Sequence, residues 1–237
     1  MIKLYAGGSP NVVKIYLALE EMALPYEAIS VDVFAGHQFS DEFKRLNPAA
    51  KIPVIVDEDG PGGKPFTLFE SGAILLYLAD KTGKFLATDP ATRYHTIQWM
   101  QVQMTGIGPM FGQFVHFMRF APKGNDYSLN RYRTQMHRYL ELLEGRLTEA
   151  PYLGGQDYSI ADMATWPWAR LAPALAGQTV AQNFPKVTAW AAKISEHPAA
   201  KRALAAVDEI RTKATPFDKA PAETLDRVFG RGSYAAA

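Results

Sequence analysis

Three short segments in the first third of the chain carry residue types suited to binding anions and an extended peptide. They are Ser9-Pro10-Asn11, Lys51-Ile52-Pro53 and Glu70-Ser71. The first and last each precede a helical pattern, and a helix start offers free N–H donors at the positive end of a dipole. The middle segment is extended before a proline, so its unpaired backbone groups can pair with a peptide as an added strand.

Each segment also has a purely structural interpretation. Ser9 with Pro10, and likewise Ser71, can simply cap a helix. Ile52-Pro53 can be an ordinary strand start, and Lys51 a solvated side chain. For each segment alone this interpretation is the better one. All three within one small domain favour a binding site, because an open α/β sheet places ligands at the carboxyl ends of its strands.

The elements that carry these segments alternate between strands and helices. Apolar patterns predict strands at 2–5, 29–33, 51–56 and 66–69, and helices at 10–24, 40–47 and 72–83. Ser9-Pro10 begins the first helix, and Gly83 ends the last. The order predicts one mixed sheet of four strands with helices on both faces.

Only helical patterns follow residue 89. The segment 90–120 is apolar on most sides and contains Gly106, Gly108, Pro109 and Gly112, which predicts a kink or close helix packing. Ser159 and Asp162 form a capping box at the start of another apolar helix. We expect an α/β domain over residues 1–85, an all-helical domain over 90–215 and, over 216–237, an extension or a partly disordered segment.

Composition excludes several classes of function. The chain has 237 residues, a net charge of +1 and no block of like charges, so we expect no nucleic-acid partner and no membrane partner. No apolar run is long enough for a signal peptide or a membrane span, which predicts a cytoplasmic protein. There is no cysteine, which excludes disulfides and a cysteine nucleophile. The five histidines lack metal-ligand spacing, so we expect no metal, and His116 is expected to pack in the core.

The chain resembles glutathione transferases over about residues 1–210. The motifs that carry the resemblance are the Ser-Pro-Asn helix start, NPAAKIPVIVD at 47–57, LFESGAILLYLADK at 68–81, YLGGQDYSIADMATWPW at 152–168 and FPKVTAWAAKISEHP at 184–198. Within the family it is most similar to the Nu class. The motifs that point there are SPN at 9–11, GHQFSDEF at 36–43, IQWM at 97–100 and GIGPMFGQ at 106–113.

This resemblance implies a fold, a ligand and an assembly. The fold is an α/β thioredoxin-like N-terminal domain followed by an all-α C-terminal helical domain. The ligand is glutathione or glutathione disulfide, with the tripeptide acting as substrate or cosubstrate. The assembly is a homodimer, and the second substrate is a small disulfide or an electrophile.

The resemblance also assigns catalytic roles to Ser9 and Asn11, which would lie beside the glutathione sulfur. A free thiol has a pKa of about 8.5, and lowering it by one unit takes about 1.4 kcal/mol of preferential thiolate stabilisation. One or two neutral donors and a helix end contribute about 1 kcal/mol each. Together they would make most of the bound glutathione a thiolate near neutral pH.

Further residues would bind the rest of the tripeptide. Gln38 and Lys51 would contact its glycine end or backbone, the Ile52 backbone would pair with the cysteinyl backbone, and Pro53 would be cis.

The γ-glutamyl end would be held by a second group of residues. Glu70 and Ser71 would hold its ammonium and carboxylate, and their chemistry suits those charges. Arg131, in the segment NRYRTQ, would reach the site, with a dimer partner as one possible source.

Three functions remain open from the sequence. The Nu-class resemblance implies glutathione-dependent disulfide reduction, in which glutathione supplies the sulfurs because the protein has none in cysteine. The first alternative is conventional conjugation of glutathione to electrophiles, with Ser9 stabilising the thiolate. The second is a binding module with this fold and no turnover.

Overall fold

A computed structural model describes residues 1–177 and 179–236 and begins with a four-stranded mixed sheet. Its strands are β1 (Ile2–Ala6), β2 (Tyr26–Ser30), β3 (Val54–Asp57) and β4 (Phe66–Phe69), in the spatial order β2-β1-β3-β4. β1 is parallel to β2 and antiparallel to β3, with Tyr5 opposite both Ile29 and Val54. β4 is antiparallel to β3. This is the sheet that the strand pattern predicts.

The three helices of this unit start and end where the sequence indicates. They are α1 (Pro10–Met22), α2 (Asp41–Leu46) and α3 (Ser71–Thr82). Ser9 caps α1, because its side chain accepts the N–H of Val12 at 3.4 Å. Gly83 ends α3 with a φ of 65°, in the left-handed region that favours glycine. The caps predicted at Ser9 and Gly83 are therefore confirmed, whereas Ser71 is the first residue of α3 and does not cap it.

The second strand ends earlier than the alternation of Ile29, Val31 and Val33 predicts. β2 stops at Ser30. The Asp32 carboxylate accepts the N–H groups of Phe34 and Ala35, both at 3.1 Å, and so forms a turn. Local hydrogen bonds of this kind compete with the strand ladder, so the apolar residues beyond Ser30 belong to a loop.

The rest of the chain is helical. The helices are α4 (Pro90–Val102), α5 (Gly108–Arg119), α6 (Asp126–Glu149), α7 (Ile160–Ala169), α8 (Ala172–Ala176), α9 (Thr179–Asn183), α10 (Pro185–Ser195), α11 (Pro198–Lys213) and α12 (Ala222–Phe229). A π-helical turn at Gln103–Ile107 joins α4 to α5 within the segment where the sequence predicts a kink or close packing. None of the helices in the described part of the chain is long and apolar enough to cross a membrane.

The helix α7 lies at the centre of the helical part. All ten of its residues are buried, and the predicted capping box of Ser159 and Asp162 is present. Asp162 also accepts hydrogen bonds from the Leu153 N–H and from Trp190 Nε1, both at 2.9 Å. α7 packs against α1, and the same apolar core runs through both parts of the chain. α1 therefore connects the sheet to the helices.

The described part of the C-terminal extension, residues 216–236, packs against α5. It contains a short turn at Phe217–Lys219 and the helix α12. The Phe120 ring packs against Phe217 and Phe229, at centroid distances of 4.9 Å and 5.2 Å. These aromatic side chains supply apolar contacts that the composition of the extension conceals. His116 packs against Phe229 at 5.2 Å, and burial lowers the pKa of its imidazole.

Candidate functional site

A cavity of about 680 Å³ lies between the sheet unit and the helices α4 and α5. Its volume falls within the usual range for ligand pockets. Six of the nine residues predicted for the site line it, namely Asn11, Lys51, Ile52, Pro53, Glu70 and Ser71. The three segments therefore converge on one cavity, although they are far apart in sequence.

The other three predicted residues do not line this cavity within one chain. Ser9 lies next to it in sequence, and its hydroxyl caps α1 while keeping its own hydrogen to donate. Gln38 is buried, and its Nε2 donates to the Val33 carbonyl at 3.1 Å. Arg131 lies on α6 in a separate shallow hollow, so it reaches the cavity only if a second subunit supplies it.

Asn11 connects the cavity to the helical part of the protein. It lies in the first turn of α1, and its Oδ1 accepts the indole N–H of Trp168 on α7 at 3.1 Å. With the amide oxygen occupied, Nδ2 is the group left to donate to a ligand. The same helix start adds the positive end of the α1 dipole. This corner of the cavity is suited to an anion such as a thiolate.

The segment around Ile52 presents backbone to the cavity. The Ile52–Pro53 peptide bond is cis, as the resemblance implies. Asn47 fixes the preceding residue, because its Nδ2 donates to the Lys51 carbonyl at 2.7 Å. Ile52 precedes β3, which begins at Val54, and so lies outside the strand ladder. Its backbone is placed to pair with an extended peptide.

Glu70 has an unusual backbone conformation at the start of α3. Its φ is 69°, which is uncommon for a residue other than glycine, and its side chain makes no capping hydrogen bond. Such conformations cluster at ligand-binding sites. The carboxylate is free to meet a cation in the cavity, and the adjacent Ser71 and the α3 N–H groups suit an anion.

Sequence reasoning missed Lys14, which also lines the cavity. Its side chain is 1% exposed, and its Nζ donates to Gln103 Oε1 at 2.7 Å and to Ser71 Oγ at 3.3 Å. Burial lowers its pKa to about 7, while the charge of Glu70 acts in the opposite direction. The available signal was a single lysine in the apolar run of α1, three residues after Asn11.

The arrangement as a whole fits a zwitterionic peptide that carries a thiol. The cavity offers a carboxylate at Glu70, anion donors at the α3 start, free backbone at Ile52 and a donor at Asn11. Within residues 1–177 and 179–236, no group of three His, Cys, Asp or Glu residues is arranged to hold a metal ion.

Two family models match the chain. The model for the N-terminal domain of glutathione S-transferase matches residues 8–81, and the model for the C-terminal domain matches residues 99–198. Together they cover more than half of the chain and both sides of the cavity.

Relatives with names and solved structures point the same way. The disulfide-bond oxidoreductase YfcG of Escherichia coli (strain K12) is 46% identical over 206 residues, which cover 86% of this chain and 94% of that protein. A glutathione transferase family member from Pseudomonas fluorescens, solved with two glutathione bound, is 45% identical with a TM-score of 0.81, covering 86% of this chain and 92% of that one. A glutathione transferase from Pseudomonas putida, solved with one glutathione disulfide per subunit, is 42% identical with a TM-score of 0.80, covering 86% and 90%.

Proposed function

The chain belongs to the glutathione S-transferase family, and we propose that its cavity binds glutathione and uses the thiol of that tripeptide to reduce disulfide bonds. One observation carries the proposal. The cavity brings together Asn11, Ile52 and Glu70-Ser71, which suit the thiol, the backbone and the γ-glutamyl end of glutathione, in a chain without cysteine. The thioredoxin-like sheet unit and the helical part each supply one wall.

The binding mode follows from the charges. The γ-glutamyl ammonium meets the Glu70 carboxylate, and the γ-glutamyl carboxylate meets Ser71 and the N–H groups of α3. The cysteinyl backbone pairs with Ile52, which lines the cavity just before β3 begins. Lys51 also lines the cavity, and its ammonium suits the glycine carboxylate.

The thiol then lies at the start of α1. Asn11 Nδ2 and the Ser9 hydroxyl donate to the sulfur, and the helix dipole adds to the preference for thiolate. Asn11 and Ser9 are therefore the proposed catalytic residues. Gln38 keeps its proposed role at the glycine end or backbone. Its Nε2 gives one of its two hydrogens to the Val33 carbonyl, and its Oε1 has no hydrogen-bond partner among the described residues.

The reaction is a pair of thiol–disulfide exchanges. The bound thiolate attacks one sulfur of the substrate disulfide, forms a mixed disulfide with glutathione and releases the other half as a thiolate. A second glutathione thiolate attacks the glutathione sulfur of the mixed disulfide. The second substrate thiolate leaves and takes up a proton, and glutathione disulfide is the oxidised product.

Several finer assignments belong to the same proposal. The protein is a Nu-class member and a cytoplasmic homodimer, and Arg131 reaches the second glutathione from the partner subunit. The division into 1–85, 90–215 and an extension over 216–237 is the proposed domain organisation. The second glutathione carries two carboxylates, and the Arg131 guanidinium can bind one of them through two parallel hydrogen bonds.

Glutathione binding and turnover in two matched variants test the proposal. Glu70→Gln removes the carboxylate for the ammonium, whereas Glu27→Gln removes a carboxylate on the exposed face of β2. Removing one partner of a charge pair of this kind costs about 2–5 kcal/mol, so glutathione affinity and disulfide turnover should fall at least tenfold in Glu70→Gln only. Equal affinity in both variants would refute the assigned site.

A further inference from the structure

Lys14 is a buried cation without a carboxylate partner. α1 carries it into the protein interior, where it is 1% exposed. The ion pairs among the described residues do not include it. Its hydrogen bonds go to neutral groups, namely Gln103 Oε1, Ser71 Oγ and the Met104 sulfur at 3.8 Å. Burying an ammonium in this way is costly unless an anion offsets it.

A second observation concerns Gln103, which lines the same cavity as Lys14. Gln103 is fully buried, and its Nε2 has no hydrogen-bond partner in the structure. Gln103 comes from the π-helical turn, a feature that is frequent at functional sites. It lines the cavity together with Lys14 and Ser71. A buried amide donor without an acceptor is rare in native structures.

The hydroxyl of Ser71 completes the group. An ammonium only donates, so Ser71 Oγ accepts from Lys14 and keeps its own hydrogen to donate. In this structure that hydrogen faces the Met104 sulfur at 3.7 Å, a weak acceptor. Lys14, Gln103 and Ser71 thus form a donor-rich group in which no carboxylate of the described residues accepts a hydrogen bond.

We propose that Lys14 is the buried counter-charge for the γ-glutamyl carboxylate of glutathione and a positioning residue for Ser71 and Gln103. Its ammonium holds Ser71 Oγ and Gln103 Oε1, so that the Ser71 hydroxyl and the Gln103 amide present their hydrogens to the carboxylate. The inference rests on the proposed function, because it assigns one end of glutathione to this pocket. Besides the N–H groups at the start of α3, the carboxylate is then held by the charge of Lys14 from α1 and by the Gln103 amide from the helical part of the chain.

Under this proposal the affinity for glutathione depends on pH, because binding changes the protonation of Lys14. The titratable residues that line the cavity are Lys14, Lys51 and Glu70, and of these Glu70 acts on Lys14 by raising its pKa. Burial brings the Lys14 pKa down to about 7 in the free protein. A carboxylate beside it favours the ammonium and raises that pKa again. Above about pH 7, binding therefore takes up a proton, and affinity falls up to tenfold per pH unit.

Calorimetric titration with S-methylglutathione tests the inference without interference from a thiol. The wild-type protein and Lys14→Met are titrated between about pH 6.5 and 9, in buffers of different ionisation enthalpy. The wild type should take up a large part of one proton at pH 8. Lys14→Met should lack this uptake and should bind at least tenfold more weakly at pH 6.5. Equal affinity and equal uptake in both proteins would overturn the inference.

A ligand without the carboxylate separates a charge contact from a structural effect. In 4-aminobutyryl-S-methylcysteinylglycine the γ-glutamyl carboxylate is replaced by hydrogen. The wild type should bind it at least tenfold more weakly than S-methylglutathione, whereas Lys14→Met should discriminate much less. The same discrimination in both proteins would assign the carboxylate to other residues.

Two controls keep the outcomes distinct. Lys51→Met removes the other lysine of the cavity and should retain the proton uptake. If Lys14→Met does not fold, the wild-type measurement still decides, since binding without proton uptake at pH 8 contradicts the role of Lys14. Failure of the wild type to bind S-methylglutathione at any pH would instead contradict the proposed function.

Discussion

Replacement of Asn11 by alanine should raise the pKa of the glutathione thiol in the cavity. Asn11 Oδ1 is occupied by the Trp168 indole at 3.1 Å, and its Nδ2 is the side-chain donor at the start of α1. A hydrogen bond to a charged group contributes about 1.5–3 kcal/mol. At about 1.4 kcal/mol per pKa unit, loss of this donor moves the thiolate titration upward by about one to two pH units.

Asn11→Asp is the matched variant. It keeps an acceptor of the same shape for Trp168, so the contact between α1 and α7 remains. It also replaces the amide donor with a negative charge, which opposes the thiolate more strongly than alanine does. We therefore expect the thiol pKa to rise in the order wild type, Asn11→Ala, Asn11→Asp.

The assay is the ultraviolet absorbance of the thiolate, recorded against pH with the cavity saturated by glutathione. The pH dependence of kcat/KM for a small disulfide, measured at saturating glutathione, provides a second readout. Under that condition the enzyme form that meets the disulfide is the glutathione complex, so the profile reports the ionisation of the bound thiol. Superimposable titrations for the wild type and Asn11→Ala would refute the role of Nδ2. A shift in Asn11→Ala that Asn11→Asp reverses would assign the effect to the lost Trp168 contact.

Three further predictions concern stability. The pKa of Lys14 is about 7 in the folded, ligand-free protein and 10.5 in the unfolded chain. Between these pH values the unfolded state binds more protons, so the free energy of unfolding should rise with pH by up to about 1.4 kcal/mol per unit. In urea unfolding, Lys14→Met should lack this slope, and a slope equal to that of the wild type would contradict the prediction. Ser9→Ala should lower the free energy of unfolding by about 0.5–2 kcal/mol through loss of the α1 cap, with Ser9→Thr close to wild type in the same measurement; an unchanged Ser9→Ala would argue against the cap. Phe229→Ala should accelerate amide hydrogen exchange across 214–234, since Phe229 packs on Phe120 and His116, whereas exchange in α7 should not change; uniform acceleration would indicate global destabilisation instead.

Local signals in the sequence were sufficient for most of the fold. Ser9-Pro10, Gly83 and the Ser159–Asp162 pair act through neighbouring residues, so the sequence alone locates the helix ends they define. The end of β2 was misjudged because a side-chain turn at Asp32 competes with an apolar alternation that suits a strand. Composition likewise concealed the helix α12, whose Phe229 packs against Phe120.

The candidate site was predictable only where its chemistry lies at helix starts and before a proline. Asn11, Ile52 and Glu70 came from such local patterns. Lys14 and Gln103 could not be found in this way, because their meaning depends on a contact across 89 positions of sequence. A lysine within an apolar helix face is a usable signal of a buried charge, and its partner has to be read from the structure. The place of Arg131 depends on a second subunit, and so it stays a prediction.

Steady-state turnover with glutathione and two second substrates tests the central claim most directly. Purified protein is assayed with 2-hydroxyethyl disulfide and, under the same conditions, with 1-chloro-2,4-dinitrobenzene. A cavity that activates glutathione for thiol–disulfide exchange predicts strong disulfide reduction, formation of one glutathione disulfide for each disulfide reduced, and weak conjugation. Strong conjugation without disulfide reduction, or bound glutathione with neither reaction, would contradict it.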